Sequence, residues 1–373
     1  MQSKPFNDPP LYLRIYADLK KRIEDGEWAY GAMLPSENDL CEMYHIARGT
    51  VRQVLAELEK EGLVRRERGR GTFIARSILP KDAAGSNNHH ISFIVPYVRD
   101  SFVSTILLGV ESVARTSGYA VIFNHVENSL EKQELAIRSA LQRGVAGIIL
   151  YPVNSNDSSP LLVDLVKQQF PLVLVDRYIR GLYADYVTSD NFGGGLVATQ
   201  HLLQLGHRRI AFLNWKEPAT TIEQRKAGYR QALLEANLSP DPGLEWEVVG
   251  YPDVDQAAIS EILSMTEPPT AIFAANDQLA LAVQRVARAK KIAIPEELAL
   301  VGFDNLDISS QLDTPLTTIA QSPFEIGKTA GDLIVCKIHK EKNCIQRSIL
   351  PTHLIVRSSC GAFIESLETE KGG

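Results

Sequence analysis

From Ile91 onward the chain alternates short apolar runs with helix-length amphipathic segments, and this rhythm restricts the fold more than any other feature. The runs are Ile91–Pro96, Ala120–Phe123, Ala146–Tyr151 and Leu172–Val175, separated by helical segments that start near Phe102, Leu130 and Leu161. A second series comprises Ile210–Leu213, Trp246–Val249, Ala271–Ala274 and Ala299–Gly302, with helices starting near Asn191, Ile222, Asp255 and Asn276. Runs that are apolar throughout suit strands covered on both faces, and parallel neighbours need helical crossovers between them. The expected class is therefore α/β, with two doubly wound parallel lobes of roughly 100 residues each. Ligands of such sheets sit beyond the carboxyl ends of the strands, so two lobes imply a cleft between them.

Ahead of these lobes lies a different pattern. Apolar residues at Leu11, Ile15, Leu19 and Ile23 share one face of a helix over Leu11–Glu24. After Gly26 and Gly31, Pro35-Ser36 supplies a cap for a short helix to Tyr44. His45-Ile46 makes a tight connection to a third helix over Ala47–Glu61, whose buried stripe is Val51, Val54, Leu55 and Leu58 and which stops at Gly62. Leu63–Arg68, the turn Gly69-Arg70-Gly71 and Thr72–Ala75 then read as a two-stranded hairpin. Three helices and a wing result.

Charge separates the two parts. Residues 1–77 carry 13 Lys and Arg against 12 Asp and Glu, whereas the whole chain has net charge −6, so only the N-terminal part suits a polyanion. Within it, Arg48, Arg52, Lys60, Arg65, Arg66, Arg68, Arg70 and Arg76 outnumber Glu57, Glu59, Glu61 and Glu67. At 45% apolar and 23% charged residues the chain can bury a core, and no apolar run approaches the ~20 residues of a membrane-spanning helix. No apolar signal segment opens it, so a cytoplasmic location is expected. Cys41, Cys336, Cys344 and Cys360 have neither zinc nor disulfide spacing, and no metal or cofactor is expected.

A short helix, a tight turn and a second helix can lay the second helix in the major groove of DNA. Arg48 and Arg52, four apart, fall on one face of that helix's first turns, where a guanidinium fork fits guanine or a phosphate. Arg70 between two glycines forms a tip narrow and positive enough for the minor groove. Leu34-Pro35-Ser36-Glu37-Asn38-Asp39-Leu40, Arg48-Gly49-Thr50-Val51-Arg52-Gln53-Val54-Leu55, Leu58-Glu59-Lys60-Glu61-Gly62-Leu63-Val64 and Gly69-Arg70-Gly71-Thr72-Phe73 resemble the winged helix-turn-helix of the gluconate-repressor (GntR) family. That resemblance implies DNA contacts from Ser36, Glu37, Arg48, Gly49, Thr50, Arg52, Gln53, Arg68, Gly69, Arg70 and Gly71. The chain departs from the family in having Ala47 where a serine is usual, which removes a helix cap or phosphate contact; either DNA affinity is lower or Thr50 supplies the contact.

Residues 77–90 are rich in Gly, Ser, Asn and His without apolar period and read as a flexible linker, so the expected division is 1–76, linker 77–90 and a large domain 91–373, to which the resemblance given below assigns effector binding and dimerisation. Polar and aromatic residues cluster where strands end: Asp176-Arg177, Tyr251, Asn276-Asp277 and Asp304, with Thr221, Arg225 and Phe102 opening helices. Carboxylates, amides and guanidinium groups fix hydroxyls, and aromatic rings stack on sugar faces. Val187-Thr188-Ser189-Asp190-Asn191, His201-Leu202-Leu203-Gln204-Leu205-Gly206-His207-Arg208-Arg209-Ile210, Arg225-Lys226-Ala227-Gly228-Tyr229, Ala275-Asn276-Asp277-Gln278-Leu279-Ala280, Val301-Gly302-Phe303-Asp304 and Leu316-Thr317-Thr318-Ile319-Ala320-Gln321 resemble the lactose/galactose-repressor effector domain. The resemblance implies a two-lobed, periplasmic-binding-protein-like effector domain, with lobes 91–190 plus 322–345 and 191–320 plus 346–365. It implies a homodimer and an effector site of Phe102, Asp176, Thr221, Arg225, Tyr251, Asn276, Asp304 and Gln321. The joining of the two modules resembles the arabinose repressors of Gram-positive bacteria. A DNA-binding repressor released by a small sugar is the leading expectation, with activator or corepressor-dependent action as alternatives. An enzyme is disfavoured, since phosphate-loop, nucleophile-elbow and zinc-protease motifs are missing. Gly193-Gly194-Gly195 lacks dinucleotide-binding spacing and is expected to serve helix packing or to meet an anion at a helix start.

Overall fold

A computed structural model describes residues 10–24, 27–28, 31–67, 70–75, 89–98, 100–156, 159–217, 219–249, 256–341 and 345–362. Its contacts divide the chain into two units, residues 1–88 with 138–145 and 158–170, and residues 89–137, 146–157 and 171–373.

In the first unit, α1 (Leu11–Glu24) buries Ile15, Leu19 and Ile23 against α3 (Arg48–Lys60), which returns Val51, Val54, Leu55 and Leu58. Between them α2 (Glu37–Tyr44) starts at a reciprocal cap: the Ser36 hydroxyl accepts from the Asp39 amide while the Asp39 carboxylate accepts from the Ser36 amide. It stops at His45, whose left-handed backbone (φ 52°) turns the chain into α3. Strands β1 (Val64–Glu67) and β2 (Gly71–Ile74) pair antiparallel, Val64 opposite Ile74 and Glu67 opposite Gly71. A third extended segment, unread in the sequence, flanks β2: the Ile74 amide donates to Ala32 and the Leu34 amide to Thr72. It was hidden because one bridge, Met33 to Phe73, is too short to leave a periodic signal.

The second unit contains two six-stranded sheets; of the helices that follow, Pro160–Lys167 and the end of Leu130–Gln142 count with the first unit. Strand β3 (His90–Val95), helix α4 (Ser101–Thr116), β4 (Ala120–His125), α5 (Leu130–Gln142), β5 (Gly147–Leu150), α6 (Pro160–Lys167), β6 (Leu172–Val175) and β7 (Asp185–Ser189) follow in order. Then come α7 (Asn191–Gln204), β8 (Ile210–Trp215), α8 (Thr220–Glu235), β9 (Glu245–Val248), α9 (Gln256–Ile262), β10 (Ala271–Ala274), α10 (Asp277–Lys290), β11 (Ala299–Asp304) and β12 (Thr317–Ala320). Helix α11 (Pro323–Ile338) and strands β13 (Arg347–Leu350) and β14 (His353–Ile355) complete the described elements. The first sheet runs β13-β7-β6-β5-β3-β4 and is all parallel; the second runs β14-β12-β11-β10-β8-β9, with β14 alone antiparallel. The chain passes from sheet to sheet at Asp190, at Gln321-Ser322 and at Pro351-Thr352.

Two expectations need correcting. Residues 346–350 were assigned to the second lobe, but β13 pairs with β7 in the first, Arg347 opposite Tyr186. The second lobe keeps β14 and the residues that follow it, where Ser359 donates to the Leu300 carbonyl and Cys360 joins the core; β13 goes to the first because the backbone hydrogen bonds of a remote strand are satisfied by whichever edge is open. The linker reading included His90, which instead begins β3 opposite Ala120; residues 77–88 lie outside the described residues. Strands β7 and β12 escaped the apolar pattern because their threonines are buried through hydrogen bonds. Thr318 donates to Asp277 (2.6 Å), Thr317 to the Arg357 carbonyl (3.0 Å) and Thr188 to the Asp176 carbonyl.

Glycines set the helix spacing. A Cβ on Gly195 would run into the Arg225 carbonyl of α8, and one on Gly228 into the Phe192 carbonyl of α7. Gly195 thus serves helix packing, as expected. Helices α4 and α11 meet in the same way through Gly109 and Gly327. Among the described residues no helix is long and apolar enough to cross a membrane.

Candidate functional site

The first turns of α3 present Arg48, Gly49, Arg52 and Gln53 to solvent, with Thr50 half-buried. Ala47 occupies the helix cap position and makes no side-chain cap bond, so the amide groups of that first turn face outward unsatisfied by a cap. Arg52 reaches back to Glu37 at the start of α2 (2.9 Å), and the Arg66 guanidinium donates to the Arg52 carbonyl (3.1 Å). Arg52 thereby shares one surface with Ser36 and Glu37, some fifteen residues earlier in the chain. At the wing, Arg70 pairs with Glu67 (2.7 Å), and its guanidinium lies 5.9 Å from the Phe73 ring. Gly71 begins β2; Arg68 and Gly69 lie outside the described residues.

The second unit holds a cleft of about 760 Å³ of open space, lined from both sheets. Seven of the eight expected effector residues line it: Phe102, Asp176, Thr221, Arg225, Asn276, Asp304 and Gln321. The eighth, Tyr251, lies outside the described residues. Their convergence follows from topology, since Asp176 follows β6, Asn276 follows β10, Asp304 ends β11, and Gln321 sits on a passage between the sheets. Phe102, Thr221 and Arg225 lie in the opening turns of α4 and α8, which begin at the same rim.

Arg225 is buried and its geometry is fixed from three sides. Its Nε donates to Asn191 Oδ1 (2.8 Å), its Nη1 to the Ala275 carbonyl (2.6 Å), and the guanidinium lies 3.6 Å from the centre of the Phe303 ring. The same Nη1 stands 3.5 Å from Asp304 Oδ1, which also accepts from Gln321 Nε2 (2.7 Å). Both bonds fall on Oδ1, leaving Oδ2 without a hydrogen-bond partner among the described residues. Burial pushes the Asp304 carboxyl well above the usual carboxylate range; Arg225 pulls against it, while Asp277, Asp100 and Asp176 add to it. Gln321 Oε1 is buried and has no partner among the described residues, an acceptor of the kind a ligand hydroxyl satisfies.

Arg177, which the sequence pairs with Asp176 at a strand end, and four residues that the sequence does not mark complete the wall. Tyr97, Asp100, Tyr151, Arg177 and Trp215 all line the cleft. Tyr97 and Tyr151 share a hydrogen bond (3.0 Å), and Arg177 lies over the Tyr151 ring at 4.9 Å while donating to the Val153 carbonyl (3.1 Å). Burial pushes the Tyr97 hydroxyl up to about 12 and also raises the Asp100 carboxyl. Asp100 caps α4 through the Phe102 amide and accepts from Gln278 Nε2 of α10 (2.8 Å), a bond that joins the two lobes. A signal for these residues was available: Tyr97, Tyr151 and Trp215 sit at or just past the ends of β3, β5 and β8, where the strand-end rule also applies.

Residues 11–74 match the family of bacterial regulatory proteins, gntR family, and residues 199–360 match the periplasmic binding protein-like domain. An arabinose metabolism transcriptional repressor of Halalkalibacterium halodurans is 30% identical over 376 residues, covering 97% of this chain and 98% of that one. A protein of the same description from Geobacillus stearothermophilus is 26% identical over 94% of this chain and 97% of its own length. Among solved structures, a LacI family transcriptional regulator from Enterococcus faecium with bound ribose superposes with a TM-score of 0.63 at 28% identity, covering 73% of this chain and 98% of that one. With a reading head of one kind, an effector fold of the other and relatives that share both along their full length, the chain belongs to the family of transcriptional repressors that join a gntR-type DNA-binding domain to a periplasmic-binding-protein-like domain.

Proposed function

We propose that the chain represses transcription by binding operator DNA through its first 76 residues and lets go when a small neutral sugar fills the cleft of residues 91–373. Ser36, Glu37, Arg48, Gly49, Thr50, Arg52, Gln53 and the wing residues Arg68, Gly69, Arg70 and Gly71 are the DNA contacts in this reading, and residues 77–90 are the tether. The observation that carries the effector reading is the convergence of Arg225, Asp304 and Gln321, with an open oxygen on each of the last two, beside Phe102 and Trp215. Asp100, Asp176, Glu217 and Asp304 stand with Arg177 and Arg225 in the lining, an excess of oxygen acceptors that suits the hydroxyl donors of a sugar. Tyr251 is retained as a candidate. Arabinose is the first sugar to test, after the description of the two relatives.

The site is read as a binding site, not a catalytic one, because its polar groups are tied to structural partners and serve to orient a ligand. A cytoplasmic homodimer suits a repressor whose two identical heads read symmetric half-sites. The apolar Leu108 on α4, 60% exposed, and Phe123 on edge strand β4, 38% exposed, supply a surface for it. The test is operator release: arabinose should dissociate the parent protein from its operator. Arg225→Ala should keep operator binding and lose sugar affinity by about 2–4 kcal/mol, giving a repressor that sugar does not relieve. Calorimetry beside a release assay decides it, and an Arg225→Ala protein that responds like the parent removes Arg225 from the site.

A further inference from the structure

Asp277 follows the cleft residue Asn276, yet it does not line the cleft and is wholly buried. Its carboxylate is saturated with donors from one small region. Oδ2 accepts from the Leu306 amide (2.8 Å) and the Ser309 hydroxyl (2.6 Å), and Oδ1 from the Thr318 hydroxyl (2.6 Å). Room for it is made by Gly302, where a Cβ would overlap Oδ1. These donors surround the corner at which β11 ends, where Asp304 (φ 116°) and Asn305 (φ 55°) are consecutive non-glycine residues in the left-handed half of backbone space. Such a pair is unfavourable by itself and persists only where the surroundings over-determine it. Arg357 supplies the other restraint: its Nη2 donates to Asn305 Oδ1 (2.7 Å) and its Nη1 to the Leu316 carbonyl (2.7 Å).

We infer that Asp277 is a positioning residue that clamps the 304–306 corner, with Arg357 as its second jaw, and so aims the Asp304 carboxylate into the cleft. The inference rests on the cleft reading given above. Asp277 touches no ligand; it acts through Leu306 and the corner, while Gln321 and Arg225 act on Asp304 directly. Without the clamp the corner relaxes toward ordinary backbone geometry and the carboxylate leaves its place opposite Gln321.

The test uses the full chain and two readouts, hydrogen exchange of the amides of residues 305 and 306 and calorimetric affinity for arabinose. Asp277→Ala should speed exchange at the corner and weaken arabinose by about tenfold or more, while operator binding without sugar persists. Asp277→Asn, whose amide oxygen still accepts from Leu306, should restore most of both. Ile259→Ala, a core truncation on α9 away from the corner, should lower the melting temperature without changing arabinose affinity. If Asp277→Ala does not fold, Arg357→Gln loosens the same corner through Asn305 and is held to the same two readouts. Unchanged exchange at the corner overturns the clamp, and faster exchange with parental affinity overturns the positioning role. A loss of affinity in Ile259→Ala equal to that in Asp277→Ala reduces Asp277 to general stability. Should the parent bind no sugar, the effector reading fails, and the clamp is then judged on exchange alone.

Discussion

At φ 116°, with its side chain only 14% exposed, Asp304 combines an unfavourable backbone with a carboxyl that burial resists ionising. Neither feature helps the fold, and both suit a residue kept for its ligand. The sign of the pH effect follows. A carboxyl whose value is raised in the folded state holds its proton more tightly there than in the unfolded chain, so its contribution to stability falls as pH rises from about 4 through the raised value. Asparagine tolerates positive φ, keeps an oxygen for Gln321 and never ionises. Asp304→Asn is therefore expected to be more stable than the parent near pH 7, on the order of 1 kcal/mol or some 2–4 °C in melting temperature, with the difference shrinking toward pH 4. Its sugar affinity should be lost. Melting curves at several pH values check the first half and calorimetry the second; a variant that is less stable at pH 7 than at pH 4, relative to the parent, contradicts the assignment.

Among the elements, α3 and the paired helices make separate demands. Under the proposed function Arg52 exchanges Glu37 for DNA, so Arg52→Ala should weaken operator binding by about 1–3 kcal/mol if it reads a base, and lower the salt slope if it meets a phosphate. Titrations at two salt concentrations distinguish these, and unchanged binding removes α3 from the groove. Gly195→Ala should be costly because its added methyl meets a backbone carbonyl of α8 that cannot swing aside; a loss of about 1–3 kcal/mol in chemical denaturation is expected. Helix α1 and strand β6 were legible to the residue, since Ile15, Leu19 and Ile23 keep strict spacing and Leu172–Val175 is bounded by Pro171 and Asp176. Neither α11 nor the sheet to which β13 belongs is legible in the sequence. The partner of β13, β7, precedes it by some 160 residues, and local pattern carries no information about pairing at that range. The cleft was legible in part through strand ends; Tyr151 closes the apolar run Ala146–Tyr151 and Tyr97 follows the run Ile91–Pro96, so neither stands out from its surroundings in the sequence.

For the whole molecule, the proposed homodimer should sediment at twice 41.3 kDa and protect two symmetric half-sites in footprinting; a monomer on a single half-site contradicts it. The last two described strands have a further effect. Only Pro351 and Thr352 separate β13, which closes the edge of one sheet, from β14, which closes the edge of the other. A chain stopped after residue 345 should therefore leave β7 and β12 with open edges at once and collect in the insoluble fraction. During synthesis, neither lobe can finish as it leaves the ribosome: each waits unfinished, one edge unzipped, until residue 355 has been made, and the two then close within a few residues of each other.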